Sequence, residues 1–199
     1  MNAFKAIGAV TYAHKNKITG DILKQLLKRV SFGLTAVAMI LGVIGGIVPA
    51  KVSAFEGGDG TEETPYRVGD CVQLQAINDD LDAYYVLAND IDCDEATGDG
   101  GALWNSGAGF NPIGDYNDPF LGELDGDGRI ISNLFMDTNL GTSESGGLFN
   151  RVGQYDNQVG LVKQVGLEDV DITGTWSTGG IAGAVWGQLN NVYTTGEVN

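Results

Sequence analysis

The feature that most restricts what this chain can fold into is that it repeats itself. An apolar residue, two polar ones and a second apolar residue occur as Ile131-Ser132-Asn133-Leu134, as Val162-Lys163-Gln164-Val165 and as Leu189-Asn190-Asn191-Val192, with spacings of 31 and 27 residues. A second pattern accompanies it: Gly146, Gly147 and Leu148 return as Gly179, Gly180 and Ile181, 33 residues later. The mismatch between 33 and 27 implies a six-residue insertion. It is placed in the polar stretch 154–158, because a repeating stack accepts extra residues in loops that project from it.

Within each unit the apolar positions alternate, as in Val165 and Leu167 or Val170 and Ile172. A period of two belongs to strands, not helices. Glycine supplies 31 of the 199 residues without an every-third-residue period, so it marks tight turns and excludes collagen. No unit of this size can bury its own apolar face, so each must stack on its neighbours, and the expected fold is an all-β solenoid. Tyr84 to Leu87 and then Ile91 read as an earlier strand.

A solenoid with an uncovered end would offer unpaired strand edges to other chains. Residues 70–81 are expected to cover it: Asp70 is a plausible N-cap, and Leu74, Ile77 and Leu81 fall on one face of a short helix. Cys71 lies in this helix and Cys93 beyond the following strand, and two cysteines in an exported chain are expected to pair. Asn199 falls inside a third unit with no visible C-terminal cap, which reads as a fragment of a longer array.

Export is read from residues 1–54. They hold seven basic residues against the single acid Asp21, and an uncharged run from Val30 to Ala50 follows Lys24, Lys28 and Arg29. This is a positive segment feeding an apolar one. Ile22, Leu23, Leu26 and Leu27 ahead of it recur at helical spacing. Val52, Ser53 and Ala54 form a small-residue pattern suited to signal-peptidase cleavage between Ala54 and Phe55. The alternative is an uncleaved helical anchor through residues 30–50, since 21 residues of helix reach roughly 31 Å, enough to cross a bilayer core. Residues 1–54 are therefore a signal peptide or membrane anchor, and 55–199 the exported domain. In that domain 25 acids face only Arg67, Arg129, Arg151 and Lys163. Nucleic acid is excluded as a partner, because such a surface repels phosphate.

Catalytic constellations are sparse. The one histidine, His14, lies in the leader, which leaves no zinc-peptidase pair and no histidine-based nucleophile in the exported part. Glu123-Leu124-Asp125-Gly126-Asp127-Gly128 has the outline of a calcium loop, but its twelfth position would be Leu134, so the aspartates are assigned to turns. Asp90, Asp92 and Asp94 alternate and could form a carboxylate row of the kind polysaccharide-cleaving enzymes use, although turn-forming roles account for them better, because Asp-rich loops bound most strands in this chain. Trp104, Trp176, Trp186, Tyr84 and Tyr116 could stack on sugar rings or pack internally. No catalytic, cofactor-binding or metal site is expected.

The paired Gly-Gly-apolar units, the upstream run Phe120, Gly122, Leu124, Asp125, Gly126, Gly128, Ile131 and Leu134, and the opening segment Gly58 to Tyr66 resemble the GLUG-repeat proteins of bacterial surfaces. Gly180-Ile181-Ala182-Gly183 matches the motif in full, and Gly147-Leu148-Phe149-Asn150 lacks its closing glycine. The resemblance implies a right-handed parallel β-helix and a place in adhesins or in the non-catalytic regions of large surface peptidases such as those cleaving immunoglobulin A. The expected function is an exported, non-catalytic cell-surface module acting through contacts with an extracellular protein or glycan. A carbohydrate-active β-helical lyase or hydrolase is the alternative.

Overall fold

The structure is a computed structural model that describes residues 55–141, 145–155 and 160–199. The leader, with its apolar run and Ala54, lies outside the described residues, as do positions 156–158 of the expected insertion. Among the described residues no helix is long and apolar enough to cross a membrane.

The described chain is mostly β, and its named strands pair with one another in parallel. In order these are β1 (Tyr66–Val68), β2 (Tyr84–Leu87), β3 (Ile91–Asp92), β4 (Glu123–Asp125), β5 (Ile130–Ser132), β6 (Phe135–Asp137), β7 (Phe149–Val152), β8 (Leu161–Thr173), β9 (Ala182–Val185) and β10 (Gln188–Val198). Two short helices, α1 (Cys71–Gln75) and α2 (Asp94–Thr97), flank β2 and β3. The long strand β8 shows how the coils stack. Its first segment pairs with β4, its middle with β5 and its last with β6, while β10 lies along its other edge from end to end. On a further side Ile113 pairs with Phe149, and β7 with β9.

β8 turns two corners, at Gln164 and Asp169, both with left-handed backbone (φ 53° at each). Asn133 and Asn191 mark corners in the neighbouring coils (φ 56° and 55°). Amide and carboxylate side chains tolerate this region because they bond locally to the backbone. Between corners the chain alternates, so Val162, Val165, Leu167, Val170 and Ile172 point inward and are at most 2% exposed, while Lys163, Glu168 and Asp171 point outward. Inward residues stack from coil to coil: Tyr85 on Leu124 on Val162 on Leu189.

The repeat alignment is correct for the second and third copies and wrong for the first. Val162 pairs with Leu189 and Val165 with Val192, as expected. The partner of Val162 in the preceding coil, however, is Leu124, and Ile131 stands opposite Leu167. The cause is that apolar-polar-polar-apolar is the signature of a corner, and each coil has two of them. The first corner of the β4 coil is enlarged to Gly126-Asp127-Gly128-Arg129, which hides its equivalence to Gln164-Val165. Gly126 sits directly over Val165, where a Cβ would come within 2.6 Å of that side chain.

The insertion is as expected. Val152 to Val162 crosses the same step as Phe120 to Leu124 and Val185 to Leu189, with six additional residues. They leave and rejoin the coil at Gly153 and Gly160, which approach so closely that a Cβ on Gly160 would lie 2.8 Å from the Gly153 nitrogen.

The cap forms, but not as one helix through residue 81. Asp70 accepts from Gln73 N at 2.8 Å, and the Gln73 side chain accepts in turn from Gly69 N. After Gln75 the chain tightens into a 3-10 turn, Ala76–Asp79. Asn78 there donates to the Gln75 carbonyl, the local bonding by which Asn and Asp compete with helix. Leu74 and Ile77 are fully buried and Leu81 packs at the margin of the core. Cys71 and Cys93 are disulfide-bonded, with Cα atoms 5.3 Å apart, which ties α1 to the start of α2. Phe55 stacks on Tyr66 at 4.7 Å and meets Tyr85 edge-on, closing the same end with aromatic rings.

Candidate functional site

An open groove of about 1040 Å³ runs along one flank. One wall comes from the loop that leads from the cap into the coils. Its sequence, Asn111-Pro112-Ile113-Gly114-Asp115-Tyr116-Asn117-Asp118-Pro119, sets a turn between two prolines. Gly114 supplies a left-handed residue (φ 72°) and Asp115 Oδ1 accepts from Asn117 N and Asp118 N at 2.6 and 2.8 Å. Tyr116 is thereby held at the tip and is 71% exposed. The cap braces the loop. Gln75 makes a two-way bond with the Asn111 backbone, donating to its carbonyl and accepting from its N–H at 2.8 Å each, and Asn78 accepts from Gly114 N at 2.8 Å.

The opposite wall is the turn joining β8 to β9. Trp176 stands there 81% exposed, beside Ser177, whose hydroxyl donates to the Gly183 carbonyl.

Arg151 of β7 forms the floor. It is 8% exposed, and its guanidinium lies between two rings, 3.9 Å from the centroid of Tyr116 and 4.1 Å from that of Trp186. One of its terminal nitrogens donates to the Tyr116 carbonyl at 2.7 Å, while its Nε is buried without a partner. Tyr155, at the foot of the insertion, meets the far side of Trp186 edge-on at 6.3 Å. The four groups form a ladder along the stack in which each aromatic-cation contact contributes roughly 0.5–2 kcal/mol.

No family model matches the chain. It is 39% identical over 153 residues to Halomucin of Haloquadratum walsbyi and 29% identical over 159 residues to a protein of Evansella cellulosilytica named as a Gly-rich membrane protein. The matches take in 74% and 77% of this chain, which spans only 2% and 17% of the length of those relatives. Among solved structures, a Bacteroides ovatus protein named as an immunoglobulin A1 protease shares the fold at 22% identity and a TM-score of 0.51, over 72% of this chain and 41% of that one.

The structure separates the aromatic residues singled out in the sequence. Trp104 stacks on Phe135 and Trp186 on Arg151, and Tyr84 is half-buried in β2, whereas Tyr116 and Trp176 present their rings to one groove. Two of the three aspartates are occupied. Asp90 Oδ1 accepts from Ile130 N at 3.0 Å, and Asp92 Oδ1 accepts from the Asn133 amide at 2.9 Å and from Asp94 N at 3.1 Å. Those bonds, chiefly the one from Asn133, hold the Asp92 carboxyl below its ordinary pKa. In the calcium-like segment, Asp125 Oδ1 accepts from Asp127 N at 2.8 Å, and the Lys163 ammonium sits between Glu123 and Asp125 at 2.7 and 3.1 Å.

Arg151 and Tyr155 escaped the sequence reading. A signal was available, since Tyr116, Arg151 and Trp186 are spaced by 35 residues each, close to one coil. It needs the coil length to be known, and the three residue types differ.

Proposed function

We propose that this chain is an exported, non-catalytic module of a cell-surface protein, a GLUG-type right-handed parallel β-helix whose groove flank contacts a partner outside the cell. The observation that carries the reading is the groove itself: two largely exposed aromatic rings fixed on a braced scaffold. Exposed aromatics held rigidly are the groups that dominate contact energies at interfaces, because little entropy is lost when they are covered. Halomucin and the protein named as a Gly-rich membrane protein are similar along most of this chain, which supports a surface or membrane-associated setting. The basic, then apolar leader supports export, with cleavage after Ala54 as the preferred route and anchoring through residues 30–50 as the other.

A non-catalytic role is favoured over an aspartate-based lyase or hydrolase by the chemistry of Asp90 and Asp92. Both carboxylates are engaged in joining coils. A glycosidase also needs one carboxylic acid with a raised pKa, whereas Asp92 is shifted the other way.

The test is attachment of cells displaying the full chain to the surfaces its host colonises. Replacing Tyr116 and Trp176 together by alanine is expected to reduce attachment at least about tenfold, with display level and circular dichroism unchanged. Undiminished attachment would remove the groove from the function, and polysaccharide cleavage abolished by Asp92→Asn would replace this reading with the enzymatic one.

A further inference from the structure

We infer that the groove takes a neutral polysaccharide chain, with a pyranose ring lying against Trp176 and the strand of sugars running past Tyr116. This rests on the groove being the contact face and specifies what it contacts. Trp176 is 81% exposed in a tight turn whose Ser177 carbonyl and Gly179 N–H are both bonded to the backbone of Gly146 in the preceding coil, so its ring is displayed on a fixed base. A flat apolar ring edged by polar groups matches a sugar, which presents C–H bonds on its faces and hydroxyls around its rim. The rest of the lining supplies the rim chemistry: Asn111 and Asn117 bring amides, and Asp115 is the one carboxylate among the described lining residues.

Charge decides between classes of glycan. Residues 55–199 carry 25 acids against four bases, so a polyuronate or sulfated chain approaches a repelling field. The one cation among the described lining residues does not offset this. The Arg151 guanidinium is covered on both faces by Tyr116 and Trp186 and is only 8% exposed, with one nitrogen already donating to the Tyr116 carbonyl, so it does not present an open fork to a carboxylate. Its role is to hold the Tyr116 ring in place. A folded protein is a poorer fit than a sugar chain, because a stable protein interface buries about 800 Å² per partner around an apolar centre, and this flank offers two separated rings among amides.

The experiment is affinity electrophoresis of the full chain, as exported, through gels containing xylan, galactomannan, mixed-linkage glucan or dextran, with alginate and polygalacturonate as acidic counterparts. Retardation in at least one neutral gel is expected, insensitive to salt from roughly 0.05 to 1 M. Trp176→Ala is expected to weaken it at least about tenfold, Tyr116→Ala less, and Tyr193→Phe, on another face, not at all. Retardation by the acidic gels alone, retardation untouched by Trp176→Ala, or no retardation in any gel would each overturn the inference. If no gel retards the chain and Trp176→Ala still weakens attachment of displaying cells, the glycan assignment falls and the contact face stands. If that variant changes neither, both fall.

Discussion

The two ends of the stack are built from the same kinds of residue and are buried very differently. At the N-terminal end, β1 is covered by the backbone of Glu56 and Gly57, which bond to both sides of Arg67, and by α1, the disulfide and the rings of Phe55, Tyr66 and Tyr85. Inward residues there are all but sealed, with Tyr85, Leu87 and Ile91 at 1–2% exposure. At the other end, β10 matches β8 in register over nearly its whole length. Yet Leu189 and Val192 are only partly buried, and Tyr193 and Val198 are 47% and 40% exposed. Among the described residues no strand pairs with the outer edge of β10. Burial of an aliphatic side chain in this fold is thus a property of the next coil and not of its own, the one-dimensional logic of repeat proteins.

The sharpest way to break that comparison is to make the same substitution in two coils. Leu124 and Leu189 both stack on Val162, one from each side. Leu124→Ala leaves a cavity between Tyr85 and Val162 and is expected to cost about 4 kcal/mol. Leu189→Ala, in the last described coil, is expected to cost less, about 2 kcal/mol, since Leu189 is only partly buried and packs against a described coil on one side alone. Equilibrium denaturation of the two variants measures the difference, and equal losses would mean that β10 is covered in solution.

The capped end depends on covalent closure for the next largest effect. Cys71 and Cys93 enclose a loop with a sequence separation of 22. In the chain-entropy treatment its closure stabilises by about 3 kcal/mol. Replacing both cysteines by serine is expected to lose that amount and to raise amide exchange in β2, β3 and α1 ahead of β8, because the cap opens as a local unit. Uniform acceleration through β8 would show instead that the cap and the coils unfold together.

How far the sequence discloses this architecture varies by element for physical reasons. The cysteine pair, the Asp70 cap, the inward alternation of β8 and the six-residue insertion are legible because each follows from a local rule or a count. The register of the first coil is not, because Ile131-Ser132-Asn133-Leu134 and Val162-Lys163-Gln164-Val165 spell the same corner at two different places in the coil. The groove is half legible. Trp176 and Tyr116 are among the five aromatics the sequence offers for stacking, but nothing in it pairs them, and Asn111, Asn78 and Gln75 meet only through the fold. Arg151 also reads as one more strand residue until Tyr116 and Trp186 arrive on either side of it.

The smallest effect concerns how coils are joined at the surface. At the capped end the joint is Asp92 with Asn133, and at the open end it is the Tyr193 hydroxyl donating to Glu168 at 2.6 Å, which raises the pKa of Tyr193. Both joints are exposed, so their contribution is screened and small. Their signs can still be read. The Asp92 carboxyl is lowered in the folded state, first by the Asn133 amide and then by Asp94 N. What it adds to stability is therefore complete above the unfolded value near ~3.9 and is lost as pH falls through the folded one. Asn133→Gly isolates the effect, because glycine keeps the left-handed backbone at that corner while removing the amide donor. Carboxyl NMR titration is expected to show Asp92 moving up toward the ordinary aspartate range in this variant, with the Tyr193 phenol, followed by its ring resonances, unmoved. An unchanged Asp92 would mean that its carboxyl is held by Asp94 N and not by the amide across the joint, which would leave Asp90, accepting from Ile130 N, as the side chain that joins the capped-end coils.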